Sequence, residues 1–243
     1  KGSYVFTHRG SHYLTEPGGT DQNRLKLAPE LGPTTFAALC DELGDRHGYA
    51  ETERIPVFGY GSNSSPDALA HKFSALPIVA IPVIRCRVPD YDVVYSSHFS
   101  RGYVPGAIYP SRGSTLTGFL TCLTPDELNL MNATERSGVN YELVPLEGAV
   151  GHLDNGETIR NPLVYHSLHG TLRIDGGPVA VGGTTSSDRT FPEWTETRIL
   201  EKVHALLAPE LKLDRFIAIC LTDQEKRDHY TELLKQSEIG SHL

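Results

Sequence analysis

Residues 55–63 read Ile-Pro-Val-Phe-Gly-Tyr-Gly-Ser-Asn, and the rest of the chain can be interpreted around this stretch. Its apolar run predicts a buried strand, and the small residues that follow predict a specialised turn. Gly59 and Gly61 permit positive φ angles and the close approach of a ligand to the backbone. Ser62 and Asn63 favour local hydrogen bonds from side chain to backbone. Such a turn can direct several N–H groups at an anion.

Other interpretations of the turn differ in how well the residues fit them. A phosphate-binding loop needs a further glycine or a Gly-Lys-Ser/Thr ending, whereas Ser64 and Ser65 stand there. A serine nucleophile at Ser62 needs the order Gly-x-Ser-x-Gly, which is absent. A glycine-rich hairpin or a strand-to-helix turn that binds no ligand remains open on these residues alone.

The composition limits the classes of partner. The chain of 243 residues has 22 Lys and Arg against 30 Asp and Glu, for a net charge of −8. No run of basic residues is interleaved with aromatic ones, so neither nucleic acid nor a membrane surface is expected as a partner. The four cysteines are far apart and form no Cys-x-x-Cys pair, which favours a reducing compartment. We therefore expect a cytoplasmic protein.

The remaining elements alternate between short helices and strands. Apolar spacing predicts a helix over residues 34–46, and Ser65 with Pro66 predicts the start of another. Strands are expected at residues 78–88, 91–96, 104–109, 116–123 and 141–145, with turns at 89–90 and 110–113. Two C-terminal helices are expected to be capped near Thr190 and at Thr222.

The clearest helix signal lies at residues 123–128. Thr124 and Glu127 form a capping box, and Pro125 occupies the first helical position. Leu123 and Leu128 are placed for a hydrophobic staple around this start. We predict a helix from Pro125 to about Glu135.

Glu135 shares a helix face with apolar residues. Its spacing from Leu128 and Met131 places a carboxylate where the helix packs on the core. Burial without a cationic partner raises a carboxyl pKa towards neutrality, as a general base requires. Alternatively, Glu135 pairs with Arg136 or Arg160 and reaches solvent.

No metal or cofactor is predicted. His166 and His169 are three residues apart, but they lie in a strand-like stretch without a third ligand nearby.

Three blocks of sequence together resemble the γ-glutamylcyclotransferase-like superfamily. The first is the strand that ends in Tyr-Gly-Ser-Asn at residues 60–63, and the second runs from Pro105-Gly-Ala-Ile-Tyr to Leu116-Thr-Gly-Phe-Leu. The third is Leu128-x-x-Met-Asn-x-x-Glu135, followed by Tyr141. The order and spacing of all three match, over roughly residues 55–146 and on towards residue 181.

The resemblance implies an α+β fold around a small mixed β-barrel with flanking helices. Residues 55–185 would form this core, residues 1–54 an N-terminal extension with one helix, and residues 186–243 a C-terminal helical extension. Family members cyclise a γ-glutamyl group to 5-oxoproline and release the amine or amino acid that it carried. The resemblance implies no metal or cofactor.

The resemblance also assigns the site residues. Glu135 would be the catalytic acid and base that shuttles the proton. The loop would hold the γ-glutamyl group, and a tyrosine would form one wall of the pocket. The substrate-binding residues implied in this way are Tyr60, Gly61, Ser62, Asn63 and Tyr141.

One position departs from the usual family pattern, and one pocket residue of the family has only a candidate in this chain. Asn132 stands where an aspartate is often found, and Tyr165 is the candidate for a second pocket tyrosine.

The expected partner is a small-molecule γ-glutamyl substrate, and a homodimer is left open. The alternatives are a γ-glutamyl removal or transfer step in specialised metabolite biosynthesis and a non-catalytic binding domain.

Overall fold

The computed structural model describes residues 2–45 and 49–240, and the chain divides into two compact units. The first comprises Lys1–Pro89 and Thr117–Tyr165, and the second comprises Asp90–Leu116 and His166–Leu243. Both helices and strands are present, so the α+β class is confirmed. The division of the chain at residues 54 and 185 stays a prediction.

The first unit is built around the strand that precedes the Tyr-Gly-Ser-Asn turn. Its strands are β1 (Tyr4–Thr7), β2 (Gly10–Tyr13), β3 (Ile55–Gly59), the first part of β4 (Ala80–Tyr95), the last part of β5 (Gly106–Leu123), β6 (Tyr141–Pro145), β7 (Val150–Leu153), β8 (Thr158–Arg160) and most of β9 (Leu163–Ser167). β3 pairs antiparallel with β5 and parallel with β9. β6 follows β9 at the end of the strand order. The strands described do not close into a ring, so the barrel is not confirmed.

Three α-helices belong to the first unit: α1 (Phe36–Glu42), α2 (Pro66–Lys72) and α3 (Pro125–Thr134). The capping box predicted for α3 is confirmed, since Thr124 Oγ1 accepts from the Glu127 N–H and Glu127 Oε2 accepts from the Thr124 N–H. Phe73 and Met131 are among the residues of the buried core. α1 is shorter than predicted, and the predicted end at Arg46 lies outside the described residues.

Short 3₁₀ turns connect several elements of this unit. They are Gln22–Arg24, Pro29–Leu31, Tyr49–Glu51 and Ser62–Ser64. The last of them joins β3 to α2, so the predicted strand-to-helix turn is present. Ser65 occupies the N-cap position of α2 as expected, but its side chain makes no capping hydrogen bond.

The predicted breaks in β4 and β5 are wrong, because each strand continues through its turn-like residues. Asp90 adopts a φ of 63° and Gly113 a φ of 90° within these strands. The Gly113 N–H donates to Asp90 Oδ1 at 2.8 Å. Asp and Gly tolerate the left-handed conformation, so the chain twists at these positions without ending the strand.

The second unit carries three C-terminal helices: α4 (Glu196–Leu207), α5 (Leu213–Thr222) and α6 (Gln224–Gln236). Their caps differ from prediction, because Thr195 accepts from the Arg198 N–H and Asp223 accepts from the Lys226 N–H. The predicted caps at Thr190 and Thr222 are therefore wrong, and the sequence pattern does not predict α5.

Short strands complete the second unit. They are β10 (Arg173–Ile174), β11 (Gly177–Pro178), β12 (Ala180–Val181), β13 (Thr185–Ser187) and β14 (Glu193–Trp194). β14 lies parallel to β12, which explains why the sequence after Thr190 does not start a helix. Phe216, Val203 and Leu234 lie in the buried core of this unit.

Candidate functional site

The Tyr-Gly-Ser-Asn turn is held from both sides by hydroxyl groups. Thr121 Oγ1 donates to the Asn63 carbonyl at 3.1 Å, and Tyr4 Oη donates to the Ser64 carbonyl at 2.5 Å. These bonds anchor the 3₁₀ turn by its backbone and leave its outer surface open. Gly61 and Ser62 are both exposed.

The glycines of the turn provide space and do not adopt positive φ angles. Gly61 has a φ of −136°, and a Cβ atom built there meets nothing within 4 Å. A Cβ atom on Gly59 would lie 3.4 Å from Asn63 Cβ, because the turn folds back over the strand end. Neither residue uses the left-handed conformation that the sequence permits.

Asn63 presents an unused acceptor. Its Oδ1 atom is buried and has no hydrogen-bond partner among the residues described. A buried polar atom without a partner is costly, and native proteins rarely leave one without a reason. A ligand N–H group would satisfy it.

Tyr60 links the turn to the neighbouring strand β9. Its hydroxyl donates a hydrogen bond of 2.9 Å to the backbone carbonyl of Tyr165. The parallel register of β3 and β9, with Phe58 opposite Val164, brings the two residues together.

Glu135 occupies the C-cap of α3, and its side chain is only 15% exposed. Its carboxylate forms a short ion pair with Nζ of Lys72, whose side chain is 10% exposed. The premise of a buried carboxylate without a cationic partner is therefore wrong. This partner comes from α2, and the sequence did not suggest it.

Tyr165 contacts both the turn and α3. It is 3% exposed, and its hydroxyl donates to Asn132 Oδ1 at 2.7 Å. Burial and the negative charge of Glu135 both raise the pKa of Tyr165. The phenol therefore stays protonated and acts as a hydrogen-bond donor at neutral pH.

The predicted site residues thus fall into two groups. Tyr60 contacts Tyr165, the tyrosine that the resemblance offered only as a candidate, and the negative charge of Glu135 acts on the same residue. Gly61 and Ser62 lie at the exposed surface of the turn, and Tyr141 packs at the edge of the first unit's core. The sequence missed Lys72, since no motif marks a lysine whose partner is distant in the chain.

Two further features bear on the class of site. In residues 2–45 and 49–240, no group of three or more His, Cys, Asp or Glu side chains is arranged to hold a metal ion. No helix in that part of the chain is both long enough and apolar enough to cross a membrane.

Comparisons with known proteins found matches only among solved structures. No protein-family model and no curated protein matches the chain. The chain is similar to a structure named gamma-glutamyl cyclotransferase, with 18% identity, 47% of this chain and 67% of that chain covered, and a TM-score of 0.39. It is also similar to the uncharacterized protein loc79017 from Homo sapiens, with 16% identity, 79% and 92% covered, and a TM-score of 0.40.

A third similar structure is At5g39720.1 from Arabidopsis thaliana, with 19% identity, 66% and 95% covered, and a TM-score of 0.38. The solved structures to which the chain is similar thus include a γ-glutamyl cyclotransferase, the family that the sequence motifs resemble. At these identities and TM-scores, the similarity transfers neither an activity nor a substrate to this chain.

Proposed function

We propose that this protein is a cofactor-independent γ-glutamyl cyclotransferase-like enzyme that converts a small γ-glutamyl conjugate to 5-oxoproline. The observation that supports the proposal is the position of Tyr165. Its carbonyl accepts a hydrogen bond from the hydroxyl of Tyr60, and its phenol donates to Asn132 on α3, the helix whose C-cap is Glu135. The turn and the helix that carries the glutamate, which are far apart in sequence, thus contact one residue.

The turn has the features needed to hold a γ-glutamyl group. The unpartnered Asn63 Oδ1 is an acceptor for the substrate's α-ammonium group. The open space over Gly61 admits a ligand close to the backbone, where N–H groups can neutralise an α-carboxylate or a developing oxyanion. Ser62 is exposed and acts in this proposal as a hydrogen-bonding clamp, not as a nucleophile.

Glu135 carries the protons in the proposed reaction. Its carboxylate accepts a proton from the substrate's α-ammonium group, and the freed nitrogen attacks the γ-carbonyl carbon. Glu135 returns that proton to the leaving nitrogen, and the bond from the γ-carbon to that nitrogen breaks. The ring nitrogen then gives up its one remaining surplus proton, which reaches the leaving nitrogen through Glu135, so the products are 5-oxoproline and an ammonium group.

The proposed catalysis requires no external nucleophile. Since the attack is intramolecular, clamping the γ-glutamyl chain in a folded conformation lowers the barrier by several kcal/mol. Each backbone donor aimed at the oxyanion adds roughly 3 kcal/mol of stabilisation. Orientation and proton transfer by one carboxylate therefore suffice.

The ion pair of Glu135 with Lys72 is also compatible with the alternative hypothesis of a binding domain. A paired carboxylate has a structural reason to be where it is, so its presence alone does not require catalysis. Turnover is therefore the deciding observable.

The experiment is an assay of the purified protein with a panel of γ-glutamyl amino acids, γ-glutamyl amines and glutathione. The proposal predicts 5-oxoproline in amounts equal to the released amine. Free glutamate or a new γ-glutamyl conjugate would instead indicate the removal or transfer step. Binding of a panel member without any turnover would favour the binding domain.

A further inference from the structure

Lys72 is the charged side chain that faces Glu135 from another element of the first unit. Its Nζ atom contacts the Glu135 carboxylate and donates to Thr134 Oγ1 at 2.9 Å. The Thr134 hydroxyl in turn donates to the Met131 carbonyl at 2.9 Å. A lysine side chain that is only 10% exposed is costly to bury unless its ammonium group is paired, so these contacts fix its position as well as that of the carboxylate.

Lys72 is also continuous with the Tyr-Gly-Ser-Asn turn. It is the last residue of α2, the helix that begins directly after the 3₁₀ turn at Ser62–Ser64. Leu69 on this helix and Phe73 at its C-cap are fully buried, so α2 is anchored in the core. The helix therefore places a cation against Glu135 from the same segment that forms the turn.

We propose that Lys72 is the positioning residue that holds the Glu135 carboxylate in its reactive orientation. The inference rests on the proposed function and adds a residue that the family resemblance did not assign. Without Lys72, the Glu135 side chain regains rotational freedom at the end of α3. A displacement of about 1 Å at a reacting group can cost on the order of 100-fold in rate.

The test compares Lys72→Gln and Lys72→Arg with a control, Lys26→Gln, which removes an exposed lysine of the same unit. For Lys72→Gln we expect kcat to fall by about 10- to 100-fold with KM changed by less than about 3-fold. Lys72→Arg retains the charge with a different geometry, so it should restore only part of kcat. Lys26→Gln should match the parent.

The outcomes separate this inference from the proposed function. An active parent whose Lys72→Gln variant keeps kcat unchanged would overturn the role of Lys72 alone. A parent that forms no 5-oxoproline would overturn both. If Lys72→Gln does not fold, Lys72→Arg decides through kcat, because a parental value would show that the exact placement of the cation is immaterial.

Discussion

The hydroxyl of Tyr60 donates a hydrogen bond of 2.9 Å to the backbone carbonyl of Tyr165. The phenol of the same Tyr165 donates to Asn132 Oδ1 on α3, the helix whose C-cap is Glu135. Tyr165 therefore contacts both the turn and the helix that carries the glutamate.

Removing that bond should weaken both the fold and the site. We expect Tyr60→Phe to lower the free energy of unfolding by about 1 kcal/mol, because the Tyr165 carbonyl loses a donor. Urea denaturation followed by circular dichroism measures the change. Tyr13→Phe is the control, since Tyr13 is 52% exposed. Equal stability of the two variants would contradict the anchoring role of Tyr60.

Two glycines of the first unit should respond oppositely to alanine. A Cβ atom at Gly61 meets nothing within 4 Å, so Gly61→Ala should leave the unfolding midpoint close to that of the parent. The added methyl group would occupy space over the turn and displace the substrate slightly. Because a small displacement of the reacting groups slows the reaction, kcat/KM should fall by about 10-fold or more. A Gly61→Ala variant with full activity would show that the substrate does not lie over this backbone.

Gly118→Ala is the matched comparison. A Cβ atom there would lie 2.6 Å from the Gly59 carbonyl oxygen and 2.7 Å from the Phe58 ring. Backbone must move to relieve such a contact, and overpacking of this kind costs about 1 to 3 kcal/mol. We expect a lower midpoint in urea denaturation. An unchanged midpoint would contradict the close approach of β3 and β5.

The buried ion pair of Arg54 and Glu127 should be the most sensitive polar contact in the first unit. Their side chains are 1% and 0% exposed, and Glu127 Oε2 also accepts from the Thr124 N–H at the start of α3. Glu127→Ala should lower the free energy of unfolding by about 3 to 5 kcal/mol, because it leaves a buried guanidinium group without its carboxylate.

The control for that variant is the exposed pair of Arg9 and Glu42, whose side chains are 60% and 53% exposed. Glu42→Ala should cost less than about 1 kcal/mol. Chemical denaturation of both variants gives the comparison. Similar losses in the two would contradict a special role for the buried pair.

The stability of the second unit should depend on the ionisation of Glu196. Burial raises the pKa of Glu196 and outweighs the hydrogen bond of 2.8 Å that its Oε1 accepts from the Val104 N–H. The folded state therefore binds this proton more tightly than the unfolded state. The contribution of Glu196 is most favourable below the ordinary carboxyl range and is lost as pH rises through the raised pKa.

Glu196→Gln should remove this dependence. We expect the variant to gain stability relative to the parent at pH 8 and to lose that gain at pH 4. The fluorescence of Trp194, the single tryptophan of the chain and a residue of the same unit, reports unfolding in urea. A stability difference between variant and parent that is the same at both pH values would contradict the raised pKa of Glu196.

Local signals in the sequence predict those elements that local chemistry determines. The capping box at Thr124 and the strand before the turn are confirmed, because caps and apolar runs act over a few residues. The helix Leu213–Thr222 escapes prediction, since its N-cap, Lys212, makes no side-chain capping bond and its apolar run also suits a strand. The turn predicted at Asp90 corresponds to a single residue in the left-handed conformation. This residue bends the strand, but β4 continues through it, because pairing with other strands is not visible in the local sequence.

The candidate site is predicted only in part for a similar reason. Glu135 stands out because a carboxylate on an apolar helix face is unusual. Its pairing with Lys72 and the position of Tyr165 depend on how α2, α3 and β9 pack together. No spacing along the chain encodes such contacts, so they require the three-dimensional structure.

The most direct test of the central claim is the rate of 5-oxoproline formation by the parent and by Glu135→Gln. The measurement uses the best substrate of the γ-glutamyl panel, with matching circular dichroism spectra as proof of folding. Glutamine keeps the shape of the side chain but cannot accept and return a proton. The account predicts a loss of at least about 100-fold, in the range found for a general acid and base. A folded Glu135→Gln variant that forms 5-oxoproline at the parental rate would contradict it.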